Sequence, residues 1–278
     1  MGNENQGFLV LTGENGVKFL QIPAFSRTDL VKHGFSTRLG GISMPPYSSL
    51  NLAAHVGDSI DQVRENRRRF SAVLGVNTKH WVTAKQVHGD LIYRVTASDR
   101  GLGSEDYQSA LEDTDALITN EPGVPLATGY ADCVPVFLFD PITPAIGLAH
   151  AGWKGTVAKI AQKTLAAMTR EYGTHPENCL IGIAPSIGPC CYEVGEKVMS
   201  QVREAFPYWR ELAVQGAEPG KWRLNLWEAN RRQLLDVGVQ TAHLTMAGIC
   251  TNCSPETFFS FRAEQGMTGR MSAVIMLV

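Results

Sequence analysis

The chain has 278 residues, of which 44% are hydrophobic and 19% charged, with 27 acidic against 25 basic side chains. At this length a chain buries about 70–75% of its unfolded surface, so a large core needs no disulfide or metal staple. The near-balanced charge argues against a nucleic-acid or membrane-surface protein, because such partners usually leave a basic excess. No apolar run of about 18 residues occurs, so no membrane-spanning helix is predicted.

The amino terminus predicts a cytoplasmic protein. Residues 1–6 lack the basic and then apolar regions of a signal peptide. In a long chain without a secretory signal, the six cysteines are expected to be reduced. These six thiols and seven histidines are therefore the side chains among which metal or nucleophilic chemistry is sought.

Helical spacing of apolar residues predicts four helices, at 59–74, 156–172, 193–206 and 224–237. Gly173 follows the second as a stop signal. The first carries four arginines that are interpreted as a solvated face: Arg64, Arg67, Arg68 and Arg69.

Six short β-rich segments predict strands, at 81–87, 116–119, 134–139, 145–149, 179–183 and 270–278. Strands outnumber helices and do not alternate strictly with them. The prediction is an α+β (irregular α/β) fold, with mixed β-sheets packed with helices in a single compact domain over 1–278. The polar stretch 97–113 is predicted to be a mobile loop. Rossmann, P-loop and α/β-hydrolase motifs do not occur in the sequence.

Three segments place a metal-type side chain at a conformational break. His88 ends a strand-like run, Cys133 opens an apolar strand, and His150 ends another strand. Successive members are 45 and 17 residues apart, which does not resemble a zinc finger, whose ligand pairs lie two to four residues apart. Catalytic zinc sites use three protein ligands and leave a fourth position open. From spacing alone, these side chains fit either such a site or ordinary structural roles.

The turn after His150 offers room for a ligand. Gly152 and Gly155 permit close backbone approach or positive φ, and the following helix begins with free N–H groups beside Lys154. An ordinary tight strand-to-helix turn explains the same residues equally well.

Longer motifs decide between these interpretations. Gln86–Asp90 (QVHGD), Ala131–Val136 (ADCVPV) and His150–Thr156 (HAGWKGT) resemble the signature of the multicopper polyphenol oxidase (laccase) domain family. This family is also called YfiH-like proteins and purine nucleoside phosphorylases. The resemblance extends over nearly the whole chain from about residue 30, through segments 34–41, 49–52, 65–67, 114–116, 183–189, 258–262 and 268–270.

The resemblance implies a catalytic site in which His88, Cys133 and His150 bind zinc. It implies phosphorolysis of adenosine and inosine by phosphate, giving the free base and ribose 1-phosphate. Adenosine deaminase and methylthioadenosine phosphorylase activities are implied at the same site. The older family name implies oxidation of phenols at copper.

Physical arguments favour zinc over copper as the cofactor. A laccase needs a blue copper and a three-copper cluster, which together use more imidazoles than the seven histidines present. A His₂Cys site alone could hold blue copper, and copper could displace zinc in vitro because it binds such ligands more tightly. Copper-dependent polyphenol oxidation therefore stays an alternative to the nucleoside reaction.

Two other functions stay open. One is a cysteine-type hydrolase with Cys133 as nucleophile and His150 as its base. The other is a binding or regulatory role in editing peptidoglycan precursors, which the family resembles in some bacteria. In either case the expected ligand is a small molecule, and a monomer or homodimer is expected.

Substrate groups are predicted from the remaining motifs. Phosphorolysis needs cationic groups for phosphate, and Arg38, Asn51 and Arg67 are the candidates. For deamination, Asp115 and Asp132 are candidate proton carriers, although Asp132 is better explained as a group that orients a ligand.

The other paired cysteines are given a structural interpretation. Cys250 and Cys253 form one C-x-x-C, and a zinc ribbon would need a second pair or two histidines nearby. Neither is evident along the sequence, and Cys190 and Cys191 are predicted to occupy a turn without a metal.

Overall fold

The structure, a computed structural model, describes residues 7–278. Segment 1–6, on which the signal-peptide prediction depends, lies outside the described residues. Within 7–278 the strands are β1 Leu9–Thr12, β2 Lys18–Gln21, β3 Val31–Ser36, β4 Ile92–Arg94, β5 Ala116–Thr119, β6 Leu126–Tyr130, β7 Val134–Asp140, β8 Ala145–Ala151, β9 Leu180–Ile183, β10 Glu193–Gly195, β11 Ala213–Gln215, β12 Lys221–Leu224, β13 Leu244–Met246 and β14 Met271–Leu277. The helices are α1 Pro23–Ser26, α2 Ile60–Leu74, α3 Trp153–Val157, α4 Ile160–Tyr172, α5 Glu196–Ala205, α6 Trp209–Leu212 and α7 Leu226–Leu235.

The central element is a six-stranded sheet in the order β13-β9-β7-β8-β5-β4. The two outer pairs, β13 with β9 and β5 with β4, are parallel, and the inner pairs are antiparallel. Strands β7 and β8 are buried along their full length, so their sequences show no polar alternation. Such continuous apolar runs are typical of strands that are covered on both faces.

Each face of this sheet packs against a different layer. Because side chains alternate along a strand, Ile118 and Val136 face a core that includes residues of α4 and α7. Leu117 and Phe137 face the opposite core, shared with the five-stranded sheet β1-β2-β3-β14-β6. The mixed α+β fold in a single compact domain is thus confirmed.

Two predicted helices begin differently in the structure. The segment 156–172 is part of two helices, because Lys159 has φ +63° and interrupts the chain between α3 and α4. The segment 193–206 starts as strand β10, whose Glu193 pairs with Arg223 of β12 in a three-stranded sheet. Apolar spacing did not reveal either change, since both occur within an otherwise helical pattern.

The predicted strand at 81–87 was wrong. Only isolated bridges form there, from Val82 to Leu126 and from Ala84 to Leu111. Successive backbone amides donate to different segments, the Val82 amide to Pro125 and the Thr83 amide to Leu102. A β-rich composition does not distinguish a segment that joins several partners from one that pairs with a single strand.

The solvated arginine face predicted on α2 was wrong for Arg67. This side chain is buried and donates from Nε to the Leu52 carbonyl and from Nη1 to the Gly103 carbonyl at 3.0 Å. Arg67 thereby contacts the segment 97–113, which contains short 3₁₀ turns. The mobility of that segment stays a prediction.

No helix within 7–278 is long and apolar enough to cross a membrane.

Candidate metal centre and adjoining cavity

His88, Cys133 and His150 lie together at one end of the central sheet. Their candidate ligand atoms are all within 4.8 Å of one another. Cys133 directly precedes β7, and His150 lies in β8 opposite Pro135, so strand pairing brings these two together. His88 comes from the loop before β4. His88 is exposed, Cys133 half-buried and His150 buried, so the group is open to the surface on one side.

The Asp115 carboxylate connects the two histidines. Its Oδ1 lies 2.7 Å from His150 Nδ1, so the other ring nitrogen, Nε2, is the one available as a metal ligand. The same carboxylate accepts three consecutive backbone N–H groups, from Val87 at 3.2 Å, His88 at 3.0 Å and Gly89 at 2.6 Å. Asp115 is therefore a positioning residue for both histidines.

The backbone at two positions beside the site is in the left-handed region. His88 has φ +63° and Asp132, directly before Cys133, has φ +86°. Such conformations cost about 1–3 kcal/mol each for non-glycine residues and persist only where the surroundings hold them. The three N–H bonds to Asp115 hold His88. For Asp132, the holding contacts are a Thr251 hydroxyl donor at 2.6 Å and the Arg262 amide at 2.7 Å.

Gly152 is needed because the site leaves no space for a side chain. A Cβ at this position would lie 3.0 Å from Cδ2 of His88 and 3.1 Å from Sγ of Cys133. Its φ of −64° is ordinary, so close approach and not positive φ explains this glycine. Gly155 is similarly close to the Gly89 carbonyl, where a Cβ would lie at 3.1 Å.

Cys133 and His150 influence each other's protonation. Burial alone would raise the pKa of Cys133, but the charge of His150 and hydrogen bonding with His150 and His88 lower the pKa to about 6. Burial alone would lower the pKa of His150, but the Cys133 thiolate and the Asp115 carboxylate raise that pKa to about 9. Each of the two groups therefore favours the charged form of the other.

This donor set fits a zinc or copper ion. A thiolate with two imidazole nitrogens is the type of ligand set that these borderline-soft metals prefer. Three protein donors leave a coordination position open, and the tightly packed Gly152 keeps the space between His88 and Cys133 free of side chains. The hydrogen bond that His150 Nδ1–H donates to Asp115 is typical of metal-ligating histidines.

A cavity of about 300 Å³ opens directly onto the metal-type group. Its wall combines aromatic rings, two guanidinium groups and exposed backbone. The lining residues are His55, Gln86, His88, Gly129, Ala131, Asp132, Cys133, His150, Ile187, Tyr192, Phe261, Arg262 and Arg270.

Arg262 and Arg270 give the cavity a positive wall. Neither forms an ion pair with a carboxylate within residues 7–278. Arg270 donates to the carbonyls of Thr268 and Gly269 through one nitrogen, Nη1. Burial lowers the pKa of Arg270, but a guanidinium stays protonated in proteins. The cavity can therefore bind an anion beside the metal-type group.

The three predicted substrate residues do not line this cavity. Arg38 forms an ion pair with Glu264 at 3.1 Å and donates to two backbone carbonyls. Arg67 lines a smaller neighbouring cavity of about 30 Å³. Asn51 is buried, and its Oδ1 accepts the Arg270 amide at 2.9 Å. Asn51 thus contacts the backbone of a residue that lines the cavity, without lining the cavity itself.

Lys154 and the helix beside it also lie away from the cavity. Helix α3 has five residues, and the exposed Lys154 ammonium lies 5.9 Å from the ring centre of Trp153. Asp132 does line the cavity, but both its oxygens are hydrogen-bonded to Thr251 and Arg262.

The sequence reasoning did not select the two arginines that face the cavity. Arg262 and Arg270 end the segments 258–262 and 268–270, which were cited for the resemblance without a role for their side chains. The sequence signal that could have identified these two arginines is that each lies at the end of a segment that resembles the family. No periodicity or spacing connects residues so late in the chain with Cys133 or His88.

Comparisons with known proteins identify the family of the chain. The family model described as "Multi-copper polyphenol oxidoreductase laccase" matches residues 32–278. "Purine nucleoside phosphorylase YlmD" of Geobacillus stearothermophilus is 43% identical over 243 residues, which cover 87% of this chain and 88% of the relative. The crystal structure of YlmD from the same organism has a TM-score of 0.91 and 39% identity, and covers 97% of this chain and 99% of that one.

A further relative has a different name. "Adenosine deaminase RL5", from an unknown prokaryotic organism, is 32% identical over 237 residues, which cover 85% of this chain and 90% of the relative. The family model spans far more than half of the chain, and the first relative exceeds 30% identity over most of both sequences. The chain therefore belongs to the multi-copper polyphenol oxidoreductase laccase family, together with the YlmD-type purine nucleoside phosphorylases.

Proposed function

We propose that the protein is a purine nucleoside phosphorylase with zinc at His88, Cys133 and His150. The observation that carries the proposal is the pairing of a three-donor metal-type group with a cavity that has two arginines, neither of which pairs with a carboxylate among residues 7–278. The names of the relatives point to the same substrate class. Adenosine and inosine are the expected nucleosides, and methylthioadenosine is a further candidate.

The phosphate is assigned to the arginine wall. In phosphorolysis a phosphate oxygen forms a bond to C1′ of the ribose while the bond from C1′ to the purine nitrogen breaks. The electron pair leaves with the purine, which takes up a proton. Arg262 and Arg270 would hold the phosphate, because guanidinium groups bind its oxygens in pairs. Their positive charge would also balance the negative charge of the phosphate while it is held beside C1′.

The purine is assigned to the aromatic side of the cavity. Tyr192 and Phe261 both line it, and aromatic rings offer flat apolar faces against which a base can stack. Gln86 also lines the cavity, and its amide exchanges two hydrogen bonds with the backbone of Gly129. These contacts fix Gln86 and shape the cavity for a planar group.

Zinc bound at the three donors would supply Lewis acidity to an oxygen of the substrate or to water. Other residues of the chain would orient the metal ligands and keep space for the substrate. Asp115 keeps His150 Nδ1 occupied, and Gly152 keeps the approach to Cys133 open.

Deamination has less support than phosphorolysis. It needs a carboxylate that exchanges protons with the substrate. Asp115 accepts three backbone N–H bonds and contacts His150, and Asp132 is bonded to Thr251 and Arg262. Both oxygens of each candidate carboxylate are thus hydrogen-bonded to protein donors, and adenosine deamination is expected only as a side activity.

The oxidase alternative also has less support. Within residues 7–278 only one other group of side chains could hold a metal, and it contains no histidine. His33, for example, is buried and accepts the Ile22 amide at 2.8 Å. A three-copper cluster on imidazoles therefore has no counterpart in the described residues. Copper bound in place of zinc would account for an oxidase signal in vitro.

The test is product analysis with zinc-loaded protein, inosine or adenosine, and phosphate. We expect hypoxanthine or adenine together with ribose 1-phosphate, and no base release without phosphate. Cys133→Ala should abolish turnover, whereas Cys179→Ala, a buried cysteine outside the site, should not. Absence of nucleoside turnover by zinc-loaded protein would contradict the proposal, and release of free ribose would indicate hydrolysis instead.

One observation favours a second candidate, a cysteine hydrolase. Cys133, His150 and Asp115 are arranged in the order nucleophile, base and orienting carboxylate, which is the arrangement of nucleophilic catalysis. Chelation separates the two candidates. Turnover that survives exhaustive removal of metal would favour the hydrolase, and turnover that returns only with added zinc would favour the phosphorylase.

A further inference from the structure

Four cysteines form a second group that could hold a metal ion. Cys190, Cys191, Cys250 and Cys253 have sulfur atoms that all lie within 4.8 Å of one another. Sγ of Cys253 is 3.3 Å from that of Cys191 and 3.5 Å from that of Cys190. The sequence analysis expected no partner pair for Cys250 and Cys253, and that expectation was wrong. The second pair is about 60 residues away in the chain but adjacent in the fold.

The fold explains how two distant turns meet. Cys190 and Cys191 lie in the turn between β9 and β10, and Cys250 and Cys253 lie in the turn after β13. Because β9 and β13 are parallel neighbours, the chain leaves both at the same edge of the sheet. A further bridge joins Ser186 to Cys250, and the Ser186 amide donates to the Ile249 carbonyl.

The spacing of the sulfurs fits one ion. Zinc binds thiolates at about 2.3 Å, so four sulfurs around one tetrahedral zinc lie about 3.8 Å apart. Two of the sulfur separations here are 3.3 and 3.5 Å, and none exceeds 4.8 Å. A tetrahedral set of four thiolates is typical of zinc. Four ligands leave no open position, so this is a closed, structural type of site.

Neighbouring groups can balance the charge of four thiolates. The Gly188 amide donates to Sγ of Cys250 at 3.2 Å. A Cβ on Gly188 would lie 2.7 Å from the Trp227 ring and 3.2 Å from Cβ of Cys250, so only glycine brings this amide so close. The Arg262 guanidinium donates to the Cys191 carbonyl at 3.4 Å, which adds positive charge beside the group.

The cysteine group is adjacent to residues that line the cavity. Cys190 and Cys191 stand between Ile187 and Tyr192, both of which line the cavity. In the other turn, Thr251 donates to the carboxylate of Asp132, the residue before Cys133. An ion held by both turns would therefore fix the part of the wall that carries Tyr192.

From these observations we propose a second, structural zinc site made by Cys190, Cys191, Cys250 and Cys253. It is separate from the His–Cys–His group and does not depend on the reaction assigned to that group. The protein then holds two zinc ions per chain, one in an open site with one sulfur ligand and one in a closed site with four.

The test is zinc analysis of the purified holoprotein, with X-ray absorption to count sulfur ligands. We expect two zinc ions per chain and an average of about 2.5 sulfur ligands per zinc. Cys253→Ser, at an exposed position, should lose one zinc and reduce the average to about one sulfur. Cys133→Ser should lose the other zinc and increase the average to about four. Cys179→Ala is the matched control and should keep both.

Three results would overturn the proposal. The first is a wild-type protein whose bound zinc has no more than about one sulfur ligand on average. The second is a Cys253→Ser variant that keeps two zinc ions. The third is peptide mapping of the holoprotein, prepared without reductant, that finds Cys253 in a disulfide with Cys190 or Cys191. The two proposals can fail separately. If the protein has no nucleoside turnover but still binds zinc through four sulfurs, the proposed function is contradicted and the structural zinc site is supported.

Discussion

Asp115 Oδ1 lies 2.7 Å from Nδ1 of His150, and the same carboxylate accepts the backbone N–H groups of Val87, His88 and Gly89. One carboxylate thus orients the ring of one candidate ligand and the backbone of another. Loss of this carboxylate is expected to affect both histidines at once.

Asp115→Asn should weaken zinc binding by about 10–100-fold, the usual effect of removing a hydrogen-bond partner of a ligating histidine. An asparagine has one acceptor oxygen, which cannot serve both His150 and three N–H donors. Competition with a chromophoric chelator measures the affinity. Asp140→Asn is the matched control, because Asp140 is buried and accepts two backbone N–H bonds at the far end of β7. Equal affinities in the two variants would contradict the role of Asp115.

Gly152→Ala should reduce zinc affinity and turnover while changing the free energy of unfolding by less than about 1 kcal/mol, because φ at this position is ordinary. The new methyl would press on His88 and Cys133, at 3.0 and 3.1 Å. Gly195→Ala, where the added Cβ has no heavy atom within 4 Å, is the control. Full activity in Gly152→Ala would mean that the histidine loop moves aside without consequence.

Arg270→Gln should raise KM for phosphate by about 10–100-fold, since hydrogen bonds to charged groups contribute about 1.5–3 kcal/mol. Arg223→Gln, at an exposed position of strand β12, should leave KM unchanged. Steady-state kinetics with varied phosphate measure the difference. Arg38→Gln separates the two sets of candidates. If Arg38 and not Arg270 controls KM for phosphate, the residues predicted from sequence are the phosphate ligands.

The free energy of unfolding should fall with pH below neutrality, partly because of His33. Burial lowers the pKa of His33 from 6.5 to about 3. Between these values the unfolded chain binds a proton that the folded protein does not. Stability is therefore full above pH 6.5 and is lost as pH falls towards 3, by up to roughly 1.4 kcal/mol per pH unit.

His33→Gln tests this dependence by urea unfolding at several pH values. The variant should show a slope between pH 4 and 6 that is shallower by roughly 1 kcal/mol per pH unit. His175→Gln, at an exposed position, is the control. Parallel curves for wild type and His33→Gln would contradict the assignment.

Local patterns predicted the central strands and most helix bounds. Strand β5 was predicted at 116–119 and is observed there, because a short buried run with turn signals on both sides has few other interpretations. The segment 81–87 has the same composition, but its amides donate to several different segments. Pairing partners are a tertiary property, and the propensity of a single segment does not contain them.

The site was predictable to the same degree. His88, Cys133 and His150 stand at breaks in the pattern and in motifs that resemble a family, so they could be selected from the sequence. Arg262 and Arg270 could not, because their approach to the cavity depends on β14 pairing with β6 and on the turn before it. The four-cysteine group was missed for a similar reason, since the parallel pairing of β9 and β13 creates it.

The pairing of β7 with β8 has a consequence for the order in which the protein assembles. We expect this hairpin to bring Cys133 and His150 together early, because closing a loop of only 17 residues has a low entropic cost. His88 can reach these two residues only after β5 has paired with β8 and Asp115 has accepted the backbone N–H groups of the loop that contains His88. An ion that needs all three donors would therefore bind only after the central sheet has formed. The fraction of molecules with bound metal would then not exceed the fraction that has folded. Scarcity of metal would then lower the yield of folded protein, since binding to the native state alone shifts the folding equilibrium.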